Sequence, residues 1–405
     1  MRSERNDASG EVRDIAPFVK ALKFKLGQTD YQHREIAATG AVNTTFLNRG
    51  HDGRFELVHD RIGPFQGAIG FSRNDFDFSA LGTEAFVPQT NTRQQGVFIY
   101  EEIASGDWKL SAGLRNERSR VRSEGGGAID ASRGAPRFDP AQSRSFSANS
   151  SAFGVLYRLT KELSLAGNLS FTQRAPTYYE LFANGLHAAT GAYEVGNAAF
   201  DRDKSRSYDA GARWRRGPDT VALSAFRTTF ANFITPIASG STRDADGTRP
   251  GAFPEFVYQA VPAIFQGYEA QGRLRVYERK GSLDLLLKAD TVKAWNSSTG
   301  QALPRVPPLR FGVGLDYTLN RFSAAVDLQH ARAQNRVSAN ELPTDGYTLL
   351  NATAGYRFAE EPFALQGFVR ATNLFNAEAR NHVSFLKDRA PLGGRGILLG
   401  LRGSF

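Results

Sequence analysis

The side chains best suited to chemistry in this 405-residue chain are six histidines and the carboxylates near them, because the chain contains no cysteine. Without a thiolate, a zinc site must use imidazole nitrogen and carboxylate oxygen. His187 lies between Glu180 and Glu194 in the longest segment without strand periodicity, so His187 and Glu180 are the first metal-ligand candidates. No Gly-x-Ser-x-Gly elbow and no phosphate-binding glycine loop before a helix start occurs, so no enzymatic activity is predicted.

Two further histidines are candidate metal ligands. His33 and His382 have carboxylates close in sequence, at Glu35 and Asp388, and the strand pattern described below puts both on the side of the long loops. The alternative for each of them is a solvated loop residue, and for His187 it is a histidine that packs within an ordered loop. The remaining histidines, His51, His59 and His330, fall at the alternate positions of their strands that face outward. No role in the interior is therefore predicted for them.

Glu11 is the last metal-ligand candidate. In segment 5–13, alternation puts Glu11 on the polar face if Val12 faces lipid. A carboxylate inside a barrel could meet an external histidine and form a mixed nitrogen and oxygen site. The alternative is an ion pair of Glu11 with Arg5 or Arg13.

Strands must position these residues, because apolar and polar side chains alternate with a period of two along most of the chain. The last ten residues are the clearest example: Ile397, Leu399, Leu401 and Phe405 share one face, and Gly396, Gly400, Arg402 and Ser404 share the other. The same pattern recurs in 107–121, 162–171, 205–214, 310–317 and 347–358. Helical spacing fits none of these windows.

The connections alternate in length, which predicts the fold. Short turns rich in Gly, Asn, Asp, Lys or Pro occur near 60–64, 104–106, 159–161, 216–218, 279–281, 319–320 and 359–362. Longer loops near 79–93, 125–140, 175–202, 237–256, 297–304, 336–345 and 374–394 lie between them. Short periplasmic turns and long external loops are typical of outer-membrane barrels. We therefore expect an all-β, transmembrane antiparallel β-barrel of roughly 17 strands.

Composition agrees with a membrane barrel and excludes other classes. No run of about 18 apolar residues occurs, as a transmembrane helix would need. The net charge of +9 is spread along the chain rather than gathered in a basic helix or tail, so no nucleic-acid partner is predicted. The polar segment 1–15 is not a secretory signal. Because complete single-chain barrels have an even number of strands, we expect that sequence is missing at the front.

Several segments resemble one family, the TonB-dependent outer-membrane receptors. Segment 171–191 (FTQRAPTYYELFANGLHAATG) resembles a strand-and-loop signature of these receptors, and 373–376 (NLFN) matches an element of their penultimate strand. Segment 381–395 (NHVSFLKDRAPLGGR) resembles the subgroup associated with zinc uptake. Segments 31–35 (YQHRE), 45–48 (TFLN) and 53–59 (GRFELVH) fit the same subgroup.

The resemblance covers residues 1–405 and implies a partial receptor barrel in a bacterial outer membrane. The family implies 22 strands, an N-terminal plug and a TonB box, so the plug and about five strands would be missing here. It also implies zinc or a metal complex as transported substrate rather than as cofactor. The implied partners are the TonB complex, through the missing region, and outer-membrane lipid with lipopolysaccharide. We expect a monomer.

Two other readings remain open at this stage. Within the family, the substrate could be a siderophore, recognised by converging arginines, or haem, held by His187 near Tyr178 and Tyr179. Outside that function, the chain could form a passive or structural outer-membrane barrel. A barrel without its plug could not be gated by TonB.

Overall fold

A computed structural model of the protein describes residues 1–36, 39–82, 84–359 and 364–404, and these residues are almost all in β-strands. Among them, 17 strands follow one another in a single antiparallel wall, each paired with the next wall strand along the chain. The number and the antiparallel order confirm the prediction. Strands alternate in their connections between short turns and long loops, and we call the long-loop side external.

The first eight strands of the wall are β1 (Arg2–Ala16), β2 (Val19–Ile36), β3 (Val42–Ile62), β4 (Phe65–Gly82), β5 (Thr90–Ser105), β6 (Trp108–Ser123), β9 (Gln142–Arg158) and β10 (Leu163–Arg174). The other nine are β13 (Asp203–Arg216), β14 (Asp219–Arg243), β15 (Phe253–Glu278), β16 (Ser282–Asn296), β17 (Arg310–Leu319), β18 (Phe322–Ala331), β19 (Tyr347–Ala359), β20 (Ala364–Thr372) and β21 (Gly396–Ser404).

The long loops contain structure of their own. They include a hairpin of β7 (Gly126–Asp130) and β8 (Ala135–Phe138), a short helix α1 (Tyr178–Phe182), and strands β11 (Asn184–His187) and β12 (Ala192–Val195). Strand β12 pairs in parallel with the external end of β15. We call these five elements, with connections 297–309, 332–346 and 373–395, the loop layer.

The strand register puts apolar side chains on the outside of the wall. Leu287, Val313 and Leu328 lie opposite one another on β16, β17 and β18, and each is at least 37% exposed, as expected of a surface that faces lipid. Arg357, Gln366 and Arg402 form a polar rung on the other face, so the interior is polar.

Most buried apolar residues lie in or beside the loop layer rather than in the wall. The larger cluster contains Phe86, Val87, Leu181 and Phe182 with residues at the external ends of the strands. Among the described residues, no helix is long and apolar enough to cross a membrane.

The terminal aromatic Phe405 and most of the predicted turn near 359–362 lie outside the described residues. Within the described ranges, β1 pairs with β2 alone and β21 with β20 alone, so the wall has two free edges.

Candidate functional site

The hairpin of β11 and β12 brings His187 to a buried carboxylate. His187 Nδ1 lies 2.9 Å from Glu194 Oε1, and Tyr258 donates its hydroxyl to Glu194 Oε2 at 3.0 Å. The ring of Phe86 stacks on His187 with a centroid separation of 4.2 Å. Gly185 is required in β11 because a Cβ there would lie 2.5 Å from the carbonyl oxygen of residue 85. The imidazole is therefore held between a carboxylate at its edge and an aromatic ring on its face.

Glu180 is held by other partners. Its side chain accepts two hydrogen bonds from the Arg174 guanidinium, at 2.9 and 3.0 Å, and one from the Thr177 backbone N–H at 2.7 Å. Thr177 is the N-cap of α1, so Glu180 completes a capping box. Asp203 shares Arg174 at 3.3 Å. Glu180 therefore stabilises the start of α1 and does not contact His187. Its role as a metal ligand stays a prediction.

His382 lies in a second cluster, buried among three connections of the loop layer. Its Nδ1 is 2.9 Å from Thr344 Oγ1, and its Nε2 is 3.3 Å from both Lys387 Nζ and Glu341 Oε1. Lys387 Nζ donates to Glu341 Oε1 at 2.7 Å, and the backbone N–H of Arg305 donates to the same oxygen at 2.8 Å.

Glu341 is the charge around which this second cluster is organised. Burial alone would raise the pKa of Glu341, but hydrogen bonds from His382, Lys387 and the backbone of Ser338 and Arg305 hold that pKa far below its usual range. The carboxylate is therefore ionised at neutral pH. Both ring nitrogens of His382 are already engaged, so a metal at His382 would have to displace one of these partners.

His33 is the candidate histidine whose unpaired ring nitrogen is buried. It lies at the external end of β2, where its ring stacks on Phe46 at 4.4 Å. Within the described chain, His33 Nδ1 and Glu35 Oε2 are both buried and have no hydrogen-bond partner. Because buried polar atoms are rarely left unpaired, this end of β2 remains compatible with a ligand.

Glu11 lies near the other end of the wall. It faces the interior as predicted, and it forms the ion pair that was the alternative, with Arg13 Nε at 2.8 Å and Lys23 Nζ at 4.0 Å. Glu11 pairs in register with Lys23, ten residues along β2 from His33. Ten residues of strand span about 33 Å, so Glu11 cannot share one ion with His33.

A cavity of about 350 Å³ separates the two histidine clusters. Its charged lining residues are Arg305, Lys387, Arg389, Glu255, Glu341 and Asp388. The carboxylates are largely neutralised, since Glu341 pairs with Lys387, Arg243 and Arg249 pair with Glu255, and Asp388 lies 3.9 Å from Arg389.

Among the cations that line this cavity, Arg305 forms no ion pair with a carboxylate of the described chain. Its guanidinium stacks over Phe385 at 3.8 Å, and no carboxylate of the described residues lies within ion-pair distance of it. Burial lowers the pKa of Arg305, and the charges of Glu341 and Glu194 oppose that shift. A half-buried guanidinium with planar, unused donors is suited to bind an anionic oxygen ligand.

Tyr258, Arg305 and Glu341 were not among the sequence candidates. Lys387 could have been noticed, because it lies in segment 381–395, which resembles the zinc subgroup. In the described ranges, no group of three or more His, Asp or Glu residues is arranged to hold a metal ion. The five predicted residues are thus distributed over separate places, and a shared ligand set among them stays a prediction.

An antiparallel wall with an apolar outside, a polar inside and a structured external loop layer defines an outer-membrane β-barrel of the receptor type. Residues 5–381 match the family model described as "TonB dependent receptor-like, beta-barrel", and the chain belongs to this family.

Solved structures have the same fold. The copper transporter OprC is 17% identical, with a TM-score of 0.80 over 98% of this chain and 65% of that chain. The iron transporter FrpB from Neisseria meningitidis is 14% identical, with a TM-score of 0.71, and 62% of it is covered. The ferric-catecholate receptor Fiu from E. coli K12 is 15% identical, with a TM-score of 0.66; 98% of this chain and 63% of Fiu are covered. The chain thus spans less than two thirds of each of these structures.

Proposed function

We propose that this chain forms the barrel of a TonB-dependent transporter that imports a metal as a small anionic complex. The observation that carries the proposal is Arg305, a half-buried guanidinium that lines an external cavity of about 350 Å³ and has no carboxylate partner in the described chain. Arg389 lines the same cavity with its nearest carboxylate at 3.9 Å. Converging arginines are the feature expected of a receptor for an anionic metal complex.

The mechanism follows from differential binding. The loop layer would capture the complex at Arg305 and Arg389, and a movement energised through TonB would open the path across the wall's interior. Such a movement releases the substrate only if the second state binds it more weakly, which breaking one charge-assisted hydrogen bond would achieve. The substrate crosses unchanged, so this is transport and not catalysis.

Zinc itself is the second candidate substrate, and His187 with Glu194 favours it. A zinc ion with tetrahedral bonds of about 2.0 Å to nitrogen and oxygen separates the two ligand atoms by about 3.3 Å. His187 Nδ1 and Glu194 Oε1 are 2.9 Å apart, so a small side-chain movement would admit the ion. Tyr258 would keep the other carboxylate oxygen in place.

Uptake by cells that carry the protein in their outer membrane separates these substrates. The probes are radioactive Zn²⁺ alone and Zn²⁺ with excess citrate. If the anionic complex is the substrate, Arg305→Gln lowers uptake of the citrate complex at least about tenfold, the effect of one lost charge-assisted hydrogen bond, and His187→Gln changes it little. If the free ion is the substrate, His187→Gln abolishes uptake of Zn²⁺ alone.

The matched control is His330→Gln, because His330 lies on the outward face of β18, where it packs on Phe311 and contacts Thr348. A proton-motive uncoupler should stop uptake by the unmodified protein. Uptake that neither Arg305→Gln nor His187→Gln reduces, or that persists with the uncoupler, would reject the proposal.

A further inference from the structure

Arg305 has a backbone conformation that is unusual for its residue type. Its φ angle is +57°, in the left-handed region, where a Cβ lies too close to the following carbonyl oxygen. In the described connections on the external side, the other non-glycine residues with such an angle are Asn340, Asn373 and Asn376, and asparagine tolerates this region. Glycine or asparagine would suit the backbone at position 305 better than arginine does. The strain therefore points to a function of the arginine side chain.

The chain on both sides of Arg305 is fixed, which keeps the residue in this conformation. Leu303 and Val306 are buried in an apolar cluster beside β14, β15 and β16. The backbone N–H of Leu303 donates to the carbonyl oxygen of Ala294 on β16 at 3.1 Å. The backbone N–H of Arg305 itself donates to Glu341 Oε1 at 2.8 Å. A strained residue persists only where its surroundings over-determine it, and these three contacts do so here.

The guanidinium of Arg305 is held by two stacked aromatic rings that begin at the wall. Its Cζ atom lies 3.8 Å from the ring centroid of Phe385, and Phe385 packs edge to face on Phe256 with ring centroids 6.0 Å apart. Phe256 belongs to β15, where it lies in register with Glu194 of β12. The stack therefore connects a wall strand, through connection 373–395, with the cation. All three side chains line the cavity of about 350 Å³.

The stacking covers one face of the guanidinium and leaves its edge free. Arg305 makes no hydrogen bond through its guanidinium to a residue of the described chain. The N–H donors of a guanidinium all lie in its plane, so a ring on its face blocks none of them. Fixing the plane in advance lowers the entropy that the side chain loses when a ligand binds. A carboxylate can then accept two parallel N–H···O bonds from this edge.

We propose that Phe385 is a positioning residue, which orients Arg305 for a two-point contact with a carboxylate of the transported complex. This inference rests on the proposed function and adds to it a residue that acts through Arg305. Without the ring, the guanidinium would be free to adopt rotamers that do not present its edge to the cavity. The affinity for the complex would then fall, whereas the step that carries the bound complex across the wall would not change.

The test measures the initial rate of uptake against the concentration of Zn²⁺ in excess citrate, in cells that carry the protein in their outer membrane. Phe385→Leu keeps an apolar side chain and removes the ring. It should raise the KM about fivefold, the effect of one lost cation–π contact, and leave the maximal rate unchanged. Phe385→Tyr keeps the ring and should retain the KM of the unmodified protein. The matched control is Phe375→Leu in the same connection, because Phe375 is exposed; its KM should not change.

A double-variant cycle separates positioning from direct contact and from a general structural effect. When Phe385→Leu is added to Arg305→Gln, it should have no further effect on the KM, because no guanidinium remains to be oriented. An equal rise in KM with and without Arg305 would overturn the proposal. So would a Phe385→Tyr variant that is as impaired as Phe385→Leu, since the ring would then not be the feature that matters.

Failure of this inference and failure of the proposed function give different results. If Arg305→Gln leaves uptake of the citrate complex unchanged, the proposed function is wrong, and the role of Phe385 is wrong with it. If Arg305→Gln lowers uptake and Phe385→Leu leaves the KM unchanged, only the positioning role is wrong. A lower maximal rate at an unchanged KM in Phe385→Leu would also reject that role, because the ring would then act in the transport step.

Discussion

The loop layer and the wall are stabilised in different ways. In the loop layer, Leu186 and Tyr193 are at most 1% exposed, and the buried Lys387 neutralises Glu341. In the wall, outward residues such as Leu401 are up to 76% exposed, and the described ion pairs are mostly open to water. The loop layer therefore packs like a water-soluble domain, whereas the wall depends on its ladder of hydrogen bonds and on lipid. Substitutions in the two regions should have different costs.

The largest effect is expected for Glu341→Ala. Without the carboxylate, Lys387 remains buried without its counter-charge and His382 loses a hydrogen-bond partner, which costs about 3–5 kcal/mol. Amide hydrogen exchange should speed up in 332–346 and 373–395 and stay slow in β17–β20. The control is Glu378→Ala, because Glu378 is 66% exposed and pairs with Arg380. Equal effects of the two substitutions would show that the loop layer gains nothing from its buried charge.

Phe182→Ala and Phe153→Ala compare the two regions directly. Phe182 is buried in the loop layer, so its truncation should cost about 3 kcal/mol in any detergent or lipid. Phe153 points outward from β9 and is 51% exposed, so its truncation should cost under about 1 kcal/mol. Amide hydrogen exchange of the loop layer and of the wall, measured in two lipid compositions, gives the two costs separately. A lipid-dependent cost at Phe182 would contradict the comparison.

Acid should loosen the loop layer before the wall. The pKa of Glu341 is lowered in the folded protein from an ordinary value of about 4.5, so its stabilising effect is complete above that pH and is lost as the pH falls below it. The effect is smaller than that of Glu341→Ala, because a protonated carboxyl keeps some hydrogen bonds. Exchange of 332–346 measured from pH 6 to pH 3 should show the change, and Glu341→Ala should remove its pH dependence.

A smaller cost is expected for Tyr258→Phe, which removes one hydrogen bond to the buried Glu194 carboxylate. The expected loss is about 1–2 kcal/mol, since the acceptor stays buried. His187 should become more mobile, and the width of its imidazole resonances in NMR spectra would report this. An unchanged spectrum would mean that the position of Glu194 does not depend on Tyr258.

The smallest effect is expected for Asp290→Asn in the wall. Asp290 and Arg310 pair at 2.8 Å across β16 and β17, and both side chains are more than a third exposed. Exposed pairs contribute about 0.2–1 kcal/mol, so the unfolding midpoint should barely move. A shift as large as that of Glu341→Ala would remove the distinction between the two regions.

The wall was predictable from the sequence, because its signal is local. Two patterns were enough: polar and apolar residues alternate along each strand, and short turns alternate with long loops. Together they predicted the number of strands, which side chains face outward, and that Glu11 faces the interior. Strand β14 continues to Arg243 and β15 already begins at Phe253, within the segment that was predicted as a loop. The reason for the error is that polar side chains on both faces of a strand resemble the pattern of a loop. Hydrogen bonds between these strands continue regardless of polarity.

The candidate site was only partly predictable. His187 and Glu194 lie only seven positions apart in one hairpin, so their nearness in sequence was a guide. Arg305, Glu341 and His382 come from three connections without periodicity, and nothing in any one connection indicates the other two. Their meeting depends on how the long loops pack, which a single sequence does not encode in any local pattern.

The parallel pairing of β12 with β15 has a consequence for the order of folding. Each wall strand pairs with the next wall strand along the chain, but Tyr193 of β12 pairs with Glu255 of β15, and β13 and β14 lie between them in the sequence. A contact between distant parts of a chain forms slowly, because closing the long loop between them costs conformational entropy. Such contacts therefore form in the last steps of folding. The wall should therefore assemble as a series of hairpins, and the loop layer should be completed last, after the wall has already entered the membrane.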